Sequence, residues 1–217
     1  KNPDFESDVR TNGIEALNKL ATTEFYPGEL TAAEADDVVA VIANSQPIHD
    51  GFYETAKDLR IISRWGVGFE NVNQKKANEV GVIITTSPVH MDTVAEYTIA
   101  QWTATLKRTY TLNHLSHGGD FSLIRTFDIE GGSLGLLGFG RIGQEVAKRA
   151  IPLLGEKGRL LVYDIRPDIH EVAAKYGAEV VDDPKTLFEQ CDTVSLHVAG
   201  DDTIVTYDLL CAMQPHA

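Results

Sequence analysis

The sequence predicts an α/β fold with two doubly wound parallel sheets, and three observations carry that expectation. Short apolar runs with β-branched residues alternate with helix-like stretches, as strands joined by crossover helices do. The run Leu134–Leu137 passes straight into Gly138-x-Gly140-x-x-Gly143 and then into the helix-like QEVAKRA. A second run, Leu160–Tyr163, ends in Asp164. The pattern changes after Ser87-Pro88, which divides the chain into residues 1–88 and 89–217.

Taken in order, Lys1–Asn12 is polar and lacks a strand pattern, Asn12-Gly13 is a turn, and Ile14–Ala21 reads as a short amphipathic helix. Thr22–Tyr26 is a brief β-like run stopped by Pro27-Gly28. Asp37 closes a polar segment, and Val38–Ala43 has the β-branched content of a buried strand. Pro47–Ala56 makes a loop and short helix, Leu59–Ser63 a strand, and Arg64–Asn73 a tight turn. A helix over Gln74–Glu79 leads to a strand at Val82–Thr85. Such an alternation implies a parallel sheet with covered faces. Thr93 and Glu96 have the spacing of a capping box. Ala95, Ile99, Trp102 and Leu106 then recur at helical intervals, so a long helix runs to about Arg108 with Trp102 in the core. Residues 110–130 read as polar and irregular. Beyond Asp164 come a helix over Glu171–Gly177, a short strand at Ala178–Val181, a helix at Pro184–Glu189 and a buried strand at Thr193–Val198.

The glycine stretch has the order of a dinucleotide-binding strand, turn and helix. Gly138 permits the sharp turn, Gly140 lets backbone approach a pyrophosphate, and Gly143 lets the helix pack closely. The positive end and free N–H groups of that helix suit phosphates. Asp164 lies about twenty residues on, where a carboxylate accepts both ribose hydroxyls. The competing reading is a glycine turn in some other α/β domain, with Asp164 capping a loop.

The totals bound the rest. A chain of 217 residues with 43% hydrophobic and 24% charged content is ordinary for a soluble globular protein, as one large domain or two small ones. The net charge of −13 argues against nucleic-acid binding, since no basic stripe offsets the acid. No apolar stretch is long enough for a membrane span, and the opening KNPDFESDVR does not read as a signal peptide. Cys191 and Cys211 have no motif spacing, so reduced thiols in a cytoplasmic protein are expected.

With these pieces placed, the chain resembles the D-isomer-specific 2-hydroxyacid dehydrogenases, the family of D-lactate, glycerate and 3-phosphoglycerate dehydrogenases. Five stretches carry the resemblance in order: RWGVGFENVN, TTSPVHMDTVAEYTIA, LGLLGFGRIG with YDIRP, CDTVSLHVAGDDT and LLCAMQPHA. The resemblance implies a flavodoxin-like substrate domain over 1–88 and a Rossmann NAD-binding domain over 89–217, both incomplete in this chain. It implies an NAD-dependent oxidoreductase that interconverts a D-2-hydroxy acid and its 2-keto acid in a cleft between the two, closing near Ser87-Pro88. Carried over by position, Val67 and Gly68 offer backbone N–H groups to the substrate carboxylate, a fitting way to hold an anion. Arg64 either adds a charge-assisted bond to an acidic substrate group or is a surface arginine at a strand end. Arg141 and Ile142 put amides on the pyrophosphate between Gly138, Gly140 and Gly143. Asp164 binds the adenosine ribose and favours NAD over NADP, although Arg166, two places on, is of a type that accepts a 2′-phosphate. His197, Val198 and Thr203 line the nucleotide pocket. A homodimer is implied, with the helix from Thr93 as a natural contact.

The chain departs from the family at several points. The segment containing LLGEKGR is longer, Glu70-Asn71 replaces Asp-Asn, Ala199-Gly200 stands where a proline follows His-Val, and Pro215-His216-Ala217 replaces Pro-Gly-Ala. The family's catalytic arginine, glutamate and histidine fall beyond Ala217, and its opening strand before Lys1, so the chain reads as part of a longer protein with no catalytic residue of its own. The histidines present do not substitute for them. His197 ends a strand, His114 and His117 lack metal-ligand partners, and His49, His90, His170 and His216 form no constellation. A non-catalytic, NAD(H)-sensing regulator like the family's corepressors is the second expectation, and formate and phosphonate dehydrogenases share the architecture.

Overall fold

The computed structural model describes residues 13–88, 90–198 and 203–215. The expected polar opening at 1–12, the loop at Ala199-Gly200 and the residues His216 and Ala217 lie outside that set. Two compact units divide the chain, Lys1–Pro88 and Val89–Ala217.

In the first unit, strands β1 (Ala40–Ala43), β2 (Ile61–Arg64) and β3 (Ile83–Thr86) run parallel in that order. The register aligns Ala40, Ile61 and Ile83, and Ile42 with Ser63. Helix α1 (Gly13–Asn18) precedes the sheet, and α2 (Asp50–Thr55) and α3 (Gln74–Val80) form its crossovers. Asn73 starts α3 by accepting the Lys76 N–H at 3.0 Å, and Gly81 ends it in the left-handed conformation. Phe52, Tyr53, Ile62 and Ala77 are buried together in one core. The opposite face departs from expectation. Ile42 is 52% and Ile83 62% exposed, so among the described residues that side of the sheet is uncovered.

The second unit begins with α4 (Met91–Leu106) and α5 (Thr109–His117). Its sheet is built from β4 (Ser133–Leu137), β5 (Arg159–Tyr163), β6 (Glu179–Val180) and β7 (Thr193–Leu196), all parallel, in the order β6-β5-β4-β7. Connecting helices are α6 (Arg141–Leu154), α7 (Ile169–Ala174) and α8 (Pro184–Gln190), and α9 (Tyr207–Cys211) follows β7. Alternation along the strands sorts the side chains to two faces. Leu134, Leu136, Leu160 and Val162 pack with Trp102, Val146 and Ala150 on one side. Leu137 and Leu161 pack with Leu187, Phe188 and Cys191 on the other. The fold is mixed α/β with parallel sheets, as the alternation predicts.

Several local expectations fail for identifiable reasons. Thr22–Tyr26 is no strand, since it pairs with none of β1, β2 and β3. The first helix stops at Asn18 rather than Ala21, closing through Leu20 and Ala21 N–H bonds to the Leu17 carbonyl. The turn expected at Gly13 is the first residue of that helix. Thr93 caps nothing, since α4 already starts at Met91. Residues 109–117 are helical, set off from α4 by Arg108 at φ +48°. β7 is half-exposed rather than buried, pairs only with β4 among the described strands, and ends at Leu196.

Candidate functional site

The strand order of the second sheet reverses between β4 and β7, which makes the carboxyl ends of those strands its topological switch point and the usual place for a ligand in such a fold. The glycine turn lies there. Gly138 leaves β4 at φ +95°, and its N–H donates to the Tyr163 carbonyl at 2.8 Å. A Cβ at Gly138 would stand 2.6 Å from the His197 carbonyl oxygen, so the backbones of the two strand ends touch. Gly143, in the first turn of α6, would place a Cβ 2.5 Å from the Gly138 carbonyl oxygen. Its hydrogen side therefore packs the helix onto the turn itself.

Gly140 is different. It occupies the N-cap of α6 at φ −70°, where no side chain caps the helix, and a Cβ there would meet nothing within 4 Å. Among the described residues, no hydrogen bond closes on the N–H groups of Arg141, Ile142 or Gly143. The start of a fourteen-residue helix thus offers unpaired N–H donors beside the open space at Gly140, a geometry able to take a diphosphate.

Asp164 completes the arrangement. One carboxylate oxygen accepts the Phe139 N–H at 2.6 Å and the other the Arg166 N–H at 3.0 Å. These bonds tie the tip of β5 to the glycine turn, and each oxygen keeps a further lone pair. The turn is braced from below by residues that sequence reading passed over. Gln144 donates to the Phe139 carbonyl at 3.1 Å and accepts from the Tyr176 hydroxyl at 3.3 Å. The Tyr176 ring meets the buried Phe139 ring edge to face, centroids 5.4 Å apart. The signal was present: Phe139 is the one large apolar residue between the first two glycines.

His197 and Val198 follow β7 and lie against Gly138. The His197 N–H extends the ladder to the Leu137 carbonyl at 2.7 Å, and its Nε2 sits 3.0 Å from Ser195 Oγ. Burial lowers the His197 pKa, so the folded protein favours the neutral ring, a poor proton donor at neutral pH. The unfolded chain takes the proton first as pH falls. The stability His197 contributes is therefore complete above about pH 6.5 and is lost progressively below it. In urea melts at about pH 7.5 and about pH 5, the stability difference between the parent and His197→Gln should shrink at the lower pH. Parallel pH profiles would contradict this. Val198 is exposed beside the turn, and Thr203 is exposed as well.

In the first unit, Arg64 ends β2 half-buried, as neither a free surface residue nor an open ligand. Its Nε donates to Asn71 Oδ1 at 3.1 Å, and Nη1 donates to the Trp65 carbonyl. Asn71 in turn donates to the carbonyls of Asn44 and Gln46 at 2.8 and 2.9 Å. Arg64 thus holds the loop that contains Val67 and Gly68. Gly66 enters that loop at φ +140° and accepts the Ser87 N–H at 2.9 Å. Val67 is 40% exposed. A Glu70 oxygen lies 2.6 Å from where a Gly68 Cβ would be, so a carboxylate already leans on this turn.

Other chemistry-bearing residues stay apart. His49 pairs with Glu29 at 2.9 Å, and His117 with the Asn113 carbonyl at 2.8 Å. Burial pushes the Cys191 thiol up to about 12, so it stays protonated. Among the described residues, no group of three or more His, Cys, Asp or Glu side chains converges as a metal site. None of the helices described is long and apolar enough to cross a membrane.

Residues 5–206 match the family described as D-isomer specific 2-hydroxyacid dehydrogenase, catalytic domain. A glyoxylate reductase of Thermococcus litoralis is 30% identical over 209 residues, covering 88% of this chain and 61% of that protein. A D-3-phosphoglycerate dehydrogenase of Methanocaldococcus jannaschii is 34% identical over 208 residues, covering 88% of this chain and 37% of that one. Among solved structures, the D-lactate dehydrogenase of Aquifex aeolicus complexed with NAD and lactic acid superposes with a TM-score of 0.81 at 21% identity, over 98% of this chain and 64% of the other. The chain therefore spans less than two thirds of the length of each of these relatives.

Proposed function

The chain belongs to the D-isomer specific 2-hydroxyacid dehydrogenase family, and from that membership we propose that the full-length protein is an NAD-dependent oxidoreductase interconverting a D-2-hydroxy acid and its 2-keto acid. The observation that carries the reading is the open space at Gly140. It is bordered by the unpaired N–H groups of α6 and, through Phe139, by the Asp164 carboxylate. The cofactor supplies the hydride chemistry when bound. This chain's residues supply position. Arg141 and Ile142 hold the pyrophosphate through backbone N–H groups, with Gly138 and Gly143 keeping the turn tight. Asp164 accepts ribose hydroxyls with its remaining lone pairs and repels a 2′-phosphate. His197 and Val198 shape the neighbouring wall, and Thr203 follows in the same segment.

The loop of residues 64–71 is proposed to take the substrate carboxylate on the N–H groups of Val67 and Gly68, with Arg64 as its brace and source of positive charge. Residues 1–88 then form the substrate domain and 89–217 the NAD-binding domain. The protein is proposed to be cytoplasmic and to act as a homodimer with α4 as contact, where Val94 is 42% and Tyr97 65% exposed. The names borne by the relatives, glyoxylate reductase and D-3-phosphoglycerate dehydrogenase, support small 2-keto acids as the substrate class. The test is NADH oxidation by the full-length protein with glyoxylate, pyruvate, hydroxypyruvate and its 3-phosphate. Saturable turnover of any of them supports the reading, and NADH binding without turnover of any 2-keto acid overturns the enzymatic part.

A further inference from the structure

Nucleotide choice in this fold turns on what faces the adenosine ribose, and here two residues beyond Asp164 present a conflict. Asp164 repels a 2′-phosphate, whereas an arginine beside it attracts one. Arg166 is beside it, since its own N–H donates to Asp164 at 3.0 Å. A guanidinium with free N–H groups at that position would weaken the preference for NAD.

The Arg166 side chain is not free. Nε donates to Asp168 Oδ1 at 2.6 Å and Nη2 to Asp168 Oδ2 at 2.8 Å, a two-pronged fork of the strongest hydrogen-bonded type. Asp168 makes this contact against its local inclination. It stands at the N-cap of α7, a position where aspartate ordinarily accepts an N–H of its own helix, and its side chain makes no such bond. Both oxygens are given to Arg166 instead. The pair is partly exposed, with side chains 34% and 48% accessible, so a competing phosphate can reach it.

We infer that Asp168 is a specificity-determining residue: by engaging Arg166 it withholds the guanidinium from a 2′-phosphate and keeps the site selective for the dinucleotide that lacks one. The inference rests on the proposed nucleotide site. It adds a second layer to the repulsion by Asp164, and the two layers act on different atoms. Asp164 meets the sugar directly, while Asp168 acts through Arg166 as a positioning residue.

The experiment is a fluorescence titration of the full-length protein with NADH and with NADPH, for the parent, Asp168→Asn, Arg166→Ala and the double variant. Freeing a charge-assisted phosphate donor should tighten NADPH binding about tenfold or more in Asp168→Asn. The NADPH-to-NADH ratio should shift by a similar factor, and rising salt should erase the gain. The gain should vanish in the double variant, because it requires Arg166. An unmoved ratio in Asp168→Asn, with NADH still bound, overturns the inference while leaving the nucleotide site standing. A gain that persists without Arg166 also overturns it, since removal of a negative charge alone would then account for the effect. If the parent binds neither nucleotide, the nucleotide site itself fails and takes the inference with it. Thermal melts of the same variants identify any loss that is merely unfolding.

Discussion

Gly140→Ser is expected to leave the protein as stable as the parent, or stabler by a few tenths of a kcal/mol, while weakening NADH binding by about a hundredfold. The two effects have one origin. Gly140 is the N-cap of α6 and has backbone angles, φ −70° and ψ −160°, that any L-residue adopts. Nothing lies within 4 Å of a Cβ at that point. A serine there fits without strain, and its hydroxyl accepts an N–H from the first turn, which is what the N-cap preference for serine reflects. It thereby takes up one of the donors offered by Arg141, Ile142 and Gly143 and fills the space beside them. A diphosphate loses both a hydrogen bond and its closest approach to the backbone. Thermal melting and NADH titration of the full-length protein check the two halves separately. Unchanged NADH affinity in a folded Gly140→Ser protein would remove the pyrophosphate from this turn.

Much of this arrangement is legible in the residues because short-range rules dictate it. The strand, the glycines and the start of α6 lie within about a dozen residues, and each glycine answers a local demand of backbone geometry. What sequence reading misses depends on partners far along the chain. The T-x-x-E signal occurs at both Thr31–Glu34 and Thr93–Glu96. Only the first closes a capping box, with Glu34 accepting the Thr31 N–H at 2.9 Å. At the second, α4 runs back to Met91 and carries Thr93 inside the helix. The clasp of Phe139 by Gln144 and Tyr176 joins residues far apart along the chain. The exposed Ile42 and Ile83 make the same point from the opposite side. Their apolar character reads as burial, yet burial depends on what lies over the sheet rather than on the strand itself.

Gly138→Ala is expected to cost about 3–5 kcal/mol of stability and to lower the melting temperature by roughly 10 °C or more. The substitution meets two separate obstacles. At φ +95° the backbone is in a region that side chains adopt only with strain, worth about 1–2 kcal/mol. The new Cβ would also stand 2.6 Å from the His197 carbonyl oxygen and 2.9 Å from the Val198 N atom. Those are backbone atoms at the end of β7, and they cannot rotate away as a flexible side chain does. The His197 N–H is moreover fixed to the Leu137 carbonyl at 2.7 Å, so relief requires β4 and β7 to part. Gly177→Ala isolates the first obstacle. Gly177 is also left-handed, at φ +63°, but a Cβ there meets nothing within 4 Å. It should lose only the conformational part, about 1 kcal/mol. Urea denaturation of the two variants measures the difference directly. If Gly138→Ala melts within a few degrees of Gly177→Ala, the close approach of the two strand ends does not constrain the turn. The switch-point contact would then contribute nothing to holding the candidate site.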